Sequence, residues 1–314
     1  MKRYCLGFDT SNYRTSCALY CADEHSWKNI GELLDVGAGS LGLRQSDALF
    51  QHVRKLPELV DRLCRDLDGE IVAVGVSDRP RRVEGSYMPC FLAGVLAARS
   101  AAAAARAPFY CFSHQEGHIA SALFSANALD WVKKPFLSWH LSGGTTELLL
   151  IQPEGSALLK AEIIGGTEDL AAGQIIDRCG VALGLPFPSG PQLEALALAS
   201  SSEEYARVRC RGLFFSLSGV ENQFRAQMDK GRQPNDVARF TLNTIARLVM
   251  QVTGAAAEKY ALPVLFSGGV SSSVFLRNIE TDHDSCRFAR HGLGGDNALG
   301  AALLAAVEGG LICL

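Results

Sequence analysis

The chain has little net charge, no long uninterrupted apolar segment and no CxxC cysteine pair. Its formal net charge is −3 over 314 residues, so any contact with nucleic acid must come from a local patch or from a partner. The apolar stretch Tyr4–Phe8 ends at Asp9, too early for a signal peptide, and Glu308 interrupts the last apolar run. We therefore expect a cytoplasmic protein that does not span a membrane.

Two motif classes are also missing. None of the ten cysteines forms a CxxC pair, so we expect reduced, small core residues and no structural zinc site. No GxxxxGK[ST] sequence occurs, which excludes a P-loop nucleotide site. With 48% hydrophobic and 20% charged residues, the composition is that of a globular protein. Because its length exceeds what one core usually organises, two domains are expected.

The pattern of apolar runs predicts the same unit twice. A strand at Tyr4–Phe8, a polar turn and a returning strand at Thr15–Tyr20 form one hairpin, and Phe136–Leu141 with Glu147–Ile151 form another. Helical spacing follows each hairpin at Ser46–Leu67, Pro89–Arg106, Glu168–Leu183, Pro191–Ser200, Asp236–Lys259 and Asn297–Gly309. Such repeats favour an α/β fold of two related halves with a cleft between them.

The most informative motif is His114-Gln-Glu-Gly-His118. It follows a predicted strand, with Ser113 as N-cap, so both imidazoles share one face of a helix. A distant carboxylate such as Asp296 would complete a two-histidine, one-carboxylate metal site. The alternatives are two surface histidines, and an Asp296 that only caps a helix. Gly117 between the histidines would allow another backbone to approach closely.

The motif is not the HExxH of zinc peptidases, because Glu116 lies two residues after His114 rather than one. A glutamate at that position points away from the metal face, so peptidase chemistry lacks its general base. Three glycine turns, at residues 142–146, 186–190 and 267–271, contain serine or threonine. They are either ordinary tight turns or a cradle of amides and hydroxyls for a phosphate.

Together these motifs make the chain resemble the TsaD family, the tRNA adenosine threonylcarbamoyltransferases. The matching stretches are His114–His118, Ser142–Gly144, Ala171–Asp177, Pro188–Pro191, Phe215–Gly219, Gly268–Ser271 and Asp296-Asn297. They occur in the family's order over nearly the whole chain, and as a set they are far more specific than any one of them.

The resemblance implies an actin-like ATPase (ASKHA) fold of two RNase H-like lobes. We place residues 1–108 with 295–314 in one lobe and 109–294 in the other. The family also implies one divalent metal, iron or zinc, held by His114, His118 and Asp296, and an adenylate or ATP-like nucleotide. Substrate and nucleotide would contact His140, Leu141, Ser142, Gly143, Gly144, Asp177, Gly190 and Ser273. The implied partners are tRNA and companion subunits that include a pseudo-enzyme relative.

Several positions depart from the family pattern. The first hairpin has Asn12-Tyr13-Arg14 in place of a segment with two acidic residues, Thr145 replaces a histidine, and Ser273 replaces an asparagine. A Gly-Pro-Gly loop is replaced by residues 79–85, with Arg79, Arg81 and Arg82. These arginines are either solvated or contact RNA or a partner. Asp177 either hydrogen-bonds to ribose hydroxyls, or it serves the fold by pairing with Arg178 or by capping a neighbour.

These departures leave three functional interpretations open. The first is threonylcarbamoyl transfer to the tRNA adenosine next to the anticodon, with no side chain assigned as general base. The second is a paralogue that binds metal and nucleotide as a scaffold or regulatory subunit. The third is a carbamoyltransferase or kinase acting on a small metabolite.

Overall fold

A computed structural model gives the fold, and the structure describes residues 1–36, 43–155, 158–279, 285–290 and 297–312. The strands are β1 (Lys2–Ser11), β2 (Arg14–Cys21), β3 (Ser26–Leu33), β4 (Gly69–Arg79), β5 (Phe109–Ser113), β6 (Phe136–Leu141), β7 (Thr146–Glu154), β8 (Leu158–Thr167), β9 (Cys210–Arg211), β10 (Phe214–Phe215), β11 (Val264–Ser267) and β12 (Cys286–Phe288). The α-helices are α1 (Gln45–Cys64), α2 (Phe91–Ala105), α3 (His114–Ser125), α4 (Ala172–Ala182), α5 (Gly190–Leu198), α6 (Ser218–Asp229), α7 (Pro234–Tyr260), α8 (Val274–Arg277) and α9 (Asn297–Glu308).

The chain divides into two compact units. The first contains Met1–Lys134, Pro153–Lys160 and Gly292–Leu314, and the second contains Pro135–Gln152 and Ala161–His291. Helix α3, with both motif histidines, therefore belongs to the unit of the N-terminal sheet. The division expected from the sequence places it in the other lobe.

Each unit is built on a mixed sheet that contains an antiparallel hairpin. In the first, the order is β3-β2-β1-β4-β5, with β1 antiparallel to β2 and parallel to β4. In the second, the order is β12-β11-β6-β7-β8-β10-β9, with β6 antiparallel to β7 and parallel to β11. The predicted pair of hairpins is confirmed.

Several predicted boundaries were wrong. The helix expected from Glu168 begins only at Ala172, because residues 168–171 form a turn in which Thr167 Oγ1 donates to the Leu170 carbonyl. The helix predicted over Ser46–Leu67 runs from Gln45 to Cys64, with Pro57 inside it. Strands β3 and β8 and helix α6 were not predicted.

The cysteines behave as predicted. None of those in the described part of the chain forms a disulfide. Cys5 and Cys17 are fully buried, and burial raises the pKa of each thiol to about 12. Both thiols are therefore protonated and inert at neutral pH. Among the described helices, none is long and apolar enough to cross a membrane.

Helix α9 is the centre of the first unit, with nearly every residue buried. It crosses β1 and β4 at glycines, since a Cβ on Gly7 would lie 2.0 Å from the Ala298 carbonyl oxygen and one on Gly75 would lie 2.1 Å from that of Ala301. It crosses α3 in the same way, because a Cβ on Gly300 would lie 1.9 Å from the Gly117 carbonyl oxygen. The close approach expected at Gly117 is thus confirmed.

Gly300→Ala should destabilise the protein by roughly 1–3 kcal/mol, because the added methyl forces α3 and α9 apart. The check is urea-induced unfolding followed by circular dichroism. Gly254→Ala is the matched control: Gly254 lies in α7, and a Cβ added there would meet no atom within 4 Å, so alanine should stabilise by roughly 0.5–1 kcal/mol. Equal unfolding midpoints for the two variants would contradict the close crossing.

Candidate functional site

The histidine pair lies in the first two turns of α3, whose start is fixed by Ser113. The Ser113 hydroxyl accepts a hydrogen bond from the Glu116 amide at 3.2 Å, and the Glu116 carboxylate accepts one from the Ser113 amide at 2.6 Å. This capping box ends β5 and begins the helix at His114. The ring centroids of His114 and His118 are 4.5 Å apart, so the imidazoles share one face as predicted.

Glu116 points away from this face, and its carboxylate forms hydrogen bonds that stabilise the fold. Its side chain is buried, and besides its cap it accepts hydrogen bonds from the Leu159 amide at 3.0 Å and from Arg82 Nε at 3.2 Å. It therefore joins α3 to β8 and to the loop after β4. Arg79 likewise pairs with Asp78 at 2.8 Å. The charges of Arg79 and Arg82 are thus already compensated within this unit.

An acidic residue from a distant strand contacts His114, and no local pattern in the sequence predicts this contact. Asp9, buried near the end of β1, places Oδ2 2.8 Å from Nδ1 of His114. Its other oxygen, Oδ1, accepts from the Ser11 amide at 3.1 Å. The carboxylate is therefore oriented by the hairpin, and its bond to Nδ1 leaves Nε2 of His114 as the nitrogen that can bind a metal.

This contact changes the acidity of both groups. Burial alone would raise the pKa of Asp9, but the charge of His114 and the hydrogen bond to it lower that pKa from 3.8 to about 2. Burial alone would lower the pKa of His114, but the charge of Asp9 and the same hydrogen bond raise it above 6.5.

Helix α9 begins beside the same histidine. Asn297 Nδ2 lies 3.0 Å from His114 Nδ1 and 3.3 Å from Nε2. Its Oδ1 is buried and accepts no hydrogen bond from the described residues. Asp296, the predicted third ligand, lies outside the described residues. Within residues 1–36, 43–155, 158–279, 285–290 and 297–312, no three His, Cys, Asp or Glu side chains form a metal-binding group.

The second unit contains a separate cavity of about 410 Å³. Four of the predicted substrate residues, Gly143, Asp177, Gly190 and Ser273, line it. Ile176, Pro188, Gly269 and Val270, from three of the family-matching stretches, also line it, together with Glu194 and Leu242, which the sequence did not single out. A cavity of this size with few polar groups is typical of a small-molecule site.

Two carboxylates, those of Asp177 and Glu194, line this cavity. Asp177 Oδ1 accepts a hydrogen bond from the Ser189 amide at 2.7 Å. Glu194 Oε1 accepts from the Ser273 hydroxyl at 2.5 Å and from the Val274 amide at 2.8 Å. Each carboxylate thus has one oxygen tied to a neighbouring turn. Of the two structural alternatives for Asp177, the pair with Arg178 is not formed, because Arg178 bonds to Glu221 at 2.6 Å. The bond that Asp177 accepts from the Ser189 amide, just before α5 begins, agrees with the capping alternative.

The other predicted substrate residues do not line this cavity. His140 and Leu141 lie in β6, and Leu141 is fully buried in the core. The Ser142 hydroxyl accepts from the Thr145 amide at 3.1 Å and closes the turn that also contains Gly144. Glu194 was missed because it looks like one polar residue of an ordinary helix. Its position in the sequence, three residues after the family-matching stretch Pro188–Pro191, was the one signal that could have identified it.

Hairpins joined to parallel strands, one set in each unit, define the actin-like ATPase (ASKHA) class. Solved structures of this class match the chain. HypF in its phosphate- and nucleotide-bound form gives a TM-score of 0.60 at 14% identity, over 98% of this chain and 55% of that one. A ROK hexokinase from Thermus thermophilus gives 0.52 at 14% identity, over 98% and 99% of the two chains. At such identity these structures show the fold alone.

Within that class the family is specific. Residues 42–301 match the family model for TsaD, tRNA N6-adenosine threonylcarbamoyltransferase. The protein of that name from Endomicrobium trichonymphae is 31% identical over 78% of this chain and 73% of its own. The one from Lactococcus lactis subsp. cremoris (strain MG1363) is 28% identical over 97% and 92%. The chain belongs to the TsaD family, which confirms the predicted resemblance and the transferase class.

The Asp9–His114 contact gives metal-free protein a characteristic pH dependence. The lowered pKa of Asp9 contributes stability above pH 3.8 that is lost as the pH falls toward 2. The raised pKa of His114 contributes stability below pH 6.5 that is lost as the pH rises through the folded value. The stability difference between wild type and Asp9→Asn should therefore be largest between about pH 4 and 6.5.

The measurement is urea unfolding of chelator-treated protein from pH 3 to 9. Asp23→Asn serves as control, because Asp23 pairs with Arg3, which stays charged throughout this range. Its stability difference should show no decline on the alkaline side. A difference for Asp9→Asn that is constant from pH 5 to 9 would contradict the ion pair.

Proposed function

We propose that this protein transfers a threonylcarbamoyl group from threonylcarbamoyl-adenylate to N6 of the adenosine next to the anticodon of tRNA. In this reaction the N6 amine attacks the carbamoyl carbon, the bond from that carbon to the phosphate oxygen breaks, and AMP leaves. The N6 proton passes to solvent, and no side chain is assigned as its acceptor. The proposal rests on the family and on one observation, the paired imidazoles of α3.

The residues around His114 fit a divalent metal. Two adjacent imidazoles are suitable donors for iron or zinc, and Asp9 fixes the tautomer of His114 that presents Nε2. The buried Oδ1 of Asn297 adds a further oxygen near the pair. We propose His114, His118 and Asp296 as the ligands. When bound, the ion supplies a Lewis acid for the threonylcarbamoyl group.

The cavity of the second unit fits the adenylate part of the substrate. Carboxylates accept hydrogen bonds from ribose hydroxyls, and Asp177 and Glu194 both line the cavity. Gly143 can approach a ligand closely because no atom lies within 4 Å of its Cβ position. Amides of the Ser142–Gly144 turn would then hold the phosphate as AMP leaves.

One observation favours the alternative of a scaffold paralogue. Asn12, in the hairpin segment that lacks the family's two acidic residues, accepts a hydrogen bond from Gln45 Nε2 at 2.7 Å. Its amide is thus used to fix the hairpin to α1. The retained histidine pair and its oriented Asp9 oppose this alternative, because a scaffold has no physical need of them. We also propose a cytoplasmic location and companion subunits, including a pseudo-enzyme relative.

His114→Ala should abolish both metal retention and transfer, with product falling roughly 100-fold or more. Loss of a residue that only hydrogen-bonds to a metal ligand already lowers metal affinity or activity by roughly 10–100-fold. Metal is measured by elemental analysis after reconstitution with Fe²⁺ or Zn²⁺. Product is measured by mass spectrometry of tRNA nucleosides, with preformed threonylcarbamoyl-adenylate and companion subunits present.

His25→Ala is the matched control, since His25 bonds to Tyr20 at 2.8 Å, outside the site. It should retain metal and activity. Full transfer by His114→Ala would overturn the metal role. Wild-type protein that binds metal and adenylate but modifies no adenosine would instead favour the scaffold.

A further inference from the structure

The second unit carries a regular row of exposed arginines that the proposed site does not use. Along residues 205–211 exposure alternates: Arg207, Arg209 and Arg211 are exposed, while Ala206 is buried and Val208 is half-buried. The inward residues pack against the core of this unit. Three arginines at every second position therefore lie on the exposed side of this segment. We call them the arginine stripe.

The segment that leads into the stripe is attached to helix α7, and the last arginine of the stripe lies in strand β9. The Ala206 amide donates to Thr244 Oγ1 of α7 at 2.8 Å. Asn243 Nδ2, also on α7, donates to the carbonyls of Ser202 at 3.1 Å and Glu204 at 3.3 Å. Leu242, on the same helix, lines the candidate adenylate cavity. Helix α7 thus supports both features.

The acidic neighbours of the stripe are already paired. Glu203 contacts Arg239 at 3.1 Å and Arg247 at 3.5 Å, and Glu204 contacts Arg232 at 3.0 Å. Within the described residues Arg207 and Arg209 have no acidic partner.

Arg211 pairs with Glu168 at 3.1 Å, but both side chains are largely exposed. Such a pair contributes little stability, so Arg211 can exchange its partner for a phosphate at little cost.

An aromatic ring begins the same row. Tyr205 is 40% exposed, and the Arg247 guanidinium lies 4.5 Å from its ring centroid. In an extended segment every second side chain recurs at about 6.6 Å, a spacing comparable to that of successive phosphates along an RNA strand. Guanidinium groups bind phosphates with two parallel hydrogen bonds, and exposed aromatic rings stack on bases.

We propose that the arginine stripe, with Tyr205 at its end, binds the phosphate backbone of the substrate tRNA near its anticodon stem-loop. The proposal rests on the proposed function, which makes RNA the substrate. It identifies the local basic patch that a chain of net charge −3 needs in order to hold RNA. A solvated row that only keeps the edge strand β9 from pairing with another copy is the competing explanation.

The test is fluorescence anisotropy of a labelled anticodon stem-loop RNA with the full chain, at several salt concentrations. The triple variant Arg207→Gln, Arg209→Gln, Arg211→Gln should bind at least tenfold more weakly. Its log–log salt slope should fall by roughly 2–3, since each phosphate contact contributes about 0.7–0.9. Tyr205→Ala should weaken binding without changing the slope, because stacking releases no counterions.

The matched control is Arg54→Gln, Arg65→Gln, Arg99→Gln, three exposed arginines of the first unit, which should leave affinity and slope unchanged. Equal losses of RNA affinity in both triple variants would overturn the proposal. A stripe variant that aggregates, while its monomer binds RNA with normal affinity, would also overturn it, in favour of the edge-strand explanation. A stripe variant that binds RNA normally but fails to bind companion subunits would also overturn it, in favour of a protein partner.

The proposal and the function on which it rests fail in distinguishable ways. If wild type modifies adenosine and the stripe variant matches it in RNA affinity and salt slope, the RNA-binding role of the stripe is wrong and the proposed transferase function is retained. If wild type binds the RNA through the stripe but forms no product, the RNA-binding role is retained and the transferase proposal is wrong.

Discussion

The first unit depends on the close crossing of α3 and α9. Gly300 and Gly117 allow backbone to meet backbone there, where any side chain at Gly300 would collide with the Gly117 carbonyl. The same crossing brings Asn297 to His114. The glycines of β1 and β4 admit α9 to the sheet in the same way, so the histidine pair is positioned by the core itself rather than by a loop.

Local signals in the sequence were sufficient for much of this fold. The polar turns between apolar runs predicted both hairpins, and Ser113 as an N-cap predicted the start of α3, because caps and turns depend on near neighbours. Strand β3 was missed because its sequence, Ser26–Leu33, has no buried residue and no regular alternation of polar and apolar side chains. An edge strand gains its order from its partner, which no local pattern shows.

The candidate site was predictable only where chemistry and helical spacing coincide. His114 and His118 meet that condition. Asp9 does not, since its contact spans 105 residues and depends on β1 ending beside α3. Glu194 was missed for a related reason: its role follows from the turn that brings Ser273 to it. Long-range contacts of this kind depend on how the strands and helices are arranged in space. The sequence pattern predicts the fold class, but it does not predict which distant side chains meet.

The position of the metal is the most direct test of the proposed site. Crystals of protein reconstituted with Zn²⁺ can be measured on both sides of the zinc absorption edge to give an anomalous difference map. We expect one peak bonded to His118 and about 2.0–2.1 Å from Nε2 of His114, with Asp9 still on Nδ1. A peak bonded to Nδ1 in place of Asp9, or no peak at the histidine pair, would contradict the proposed metal site.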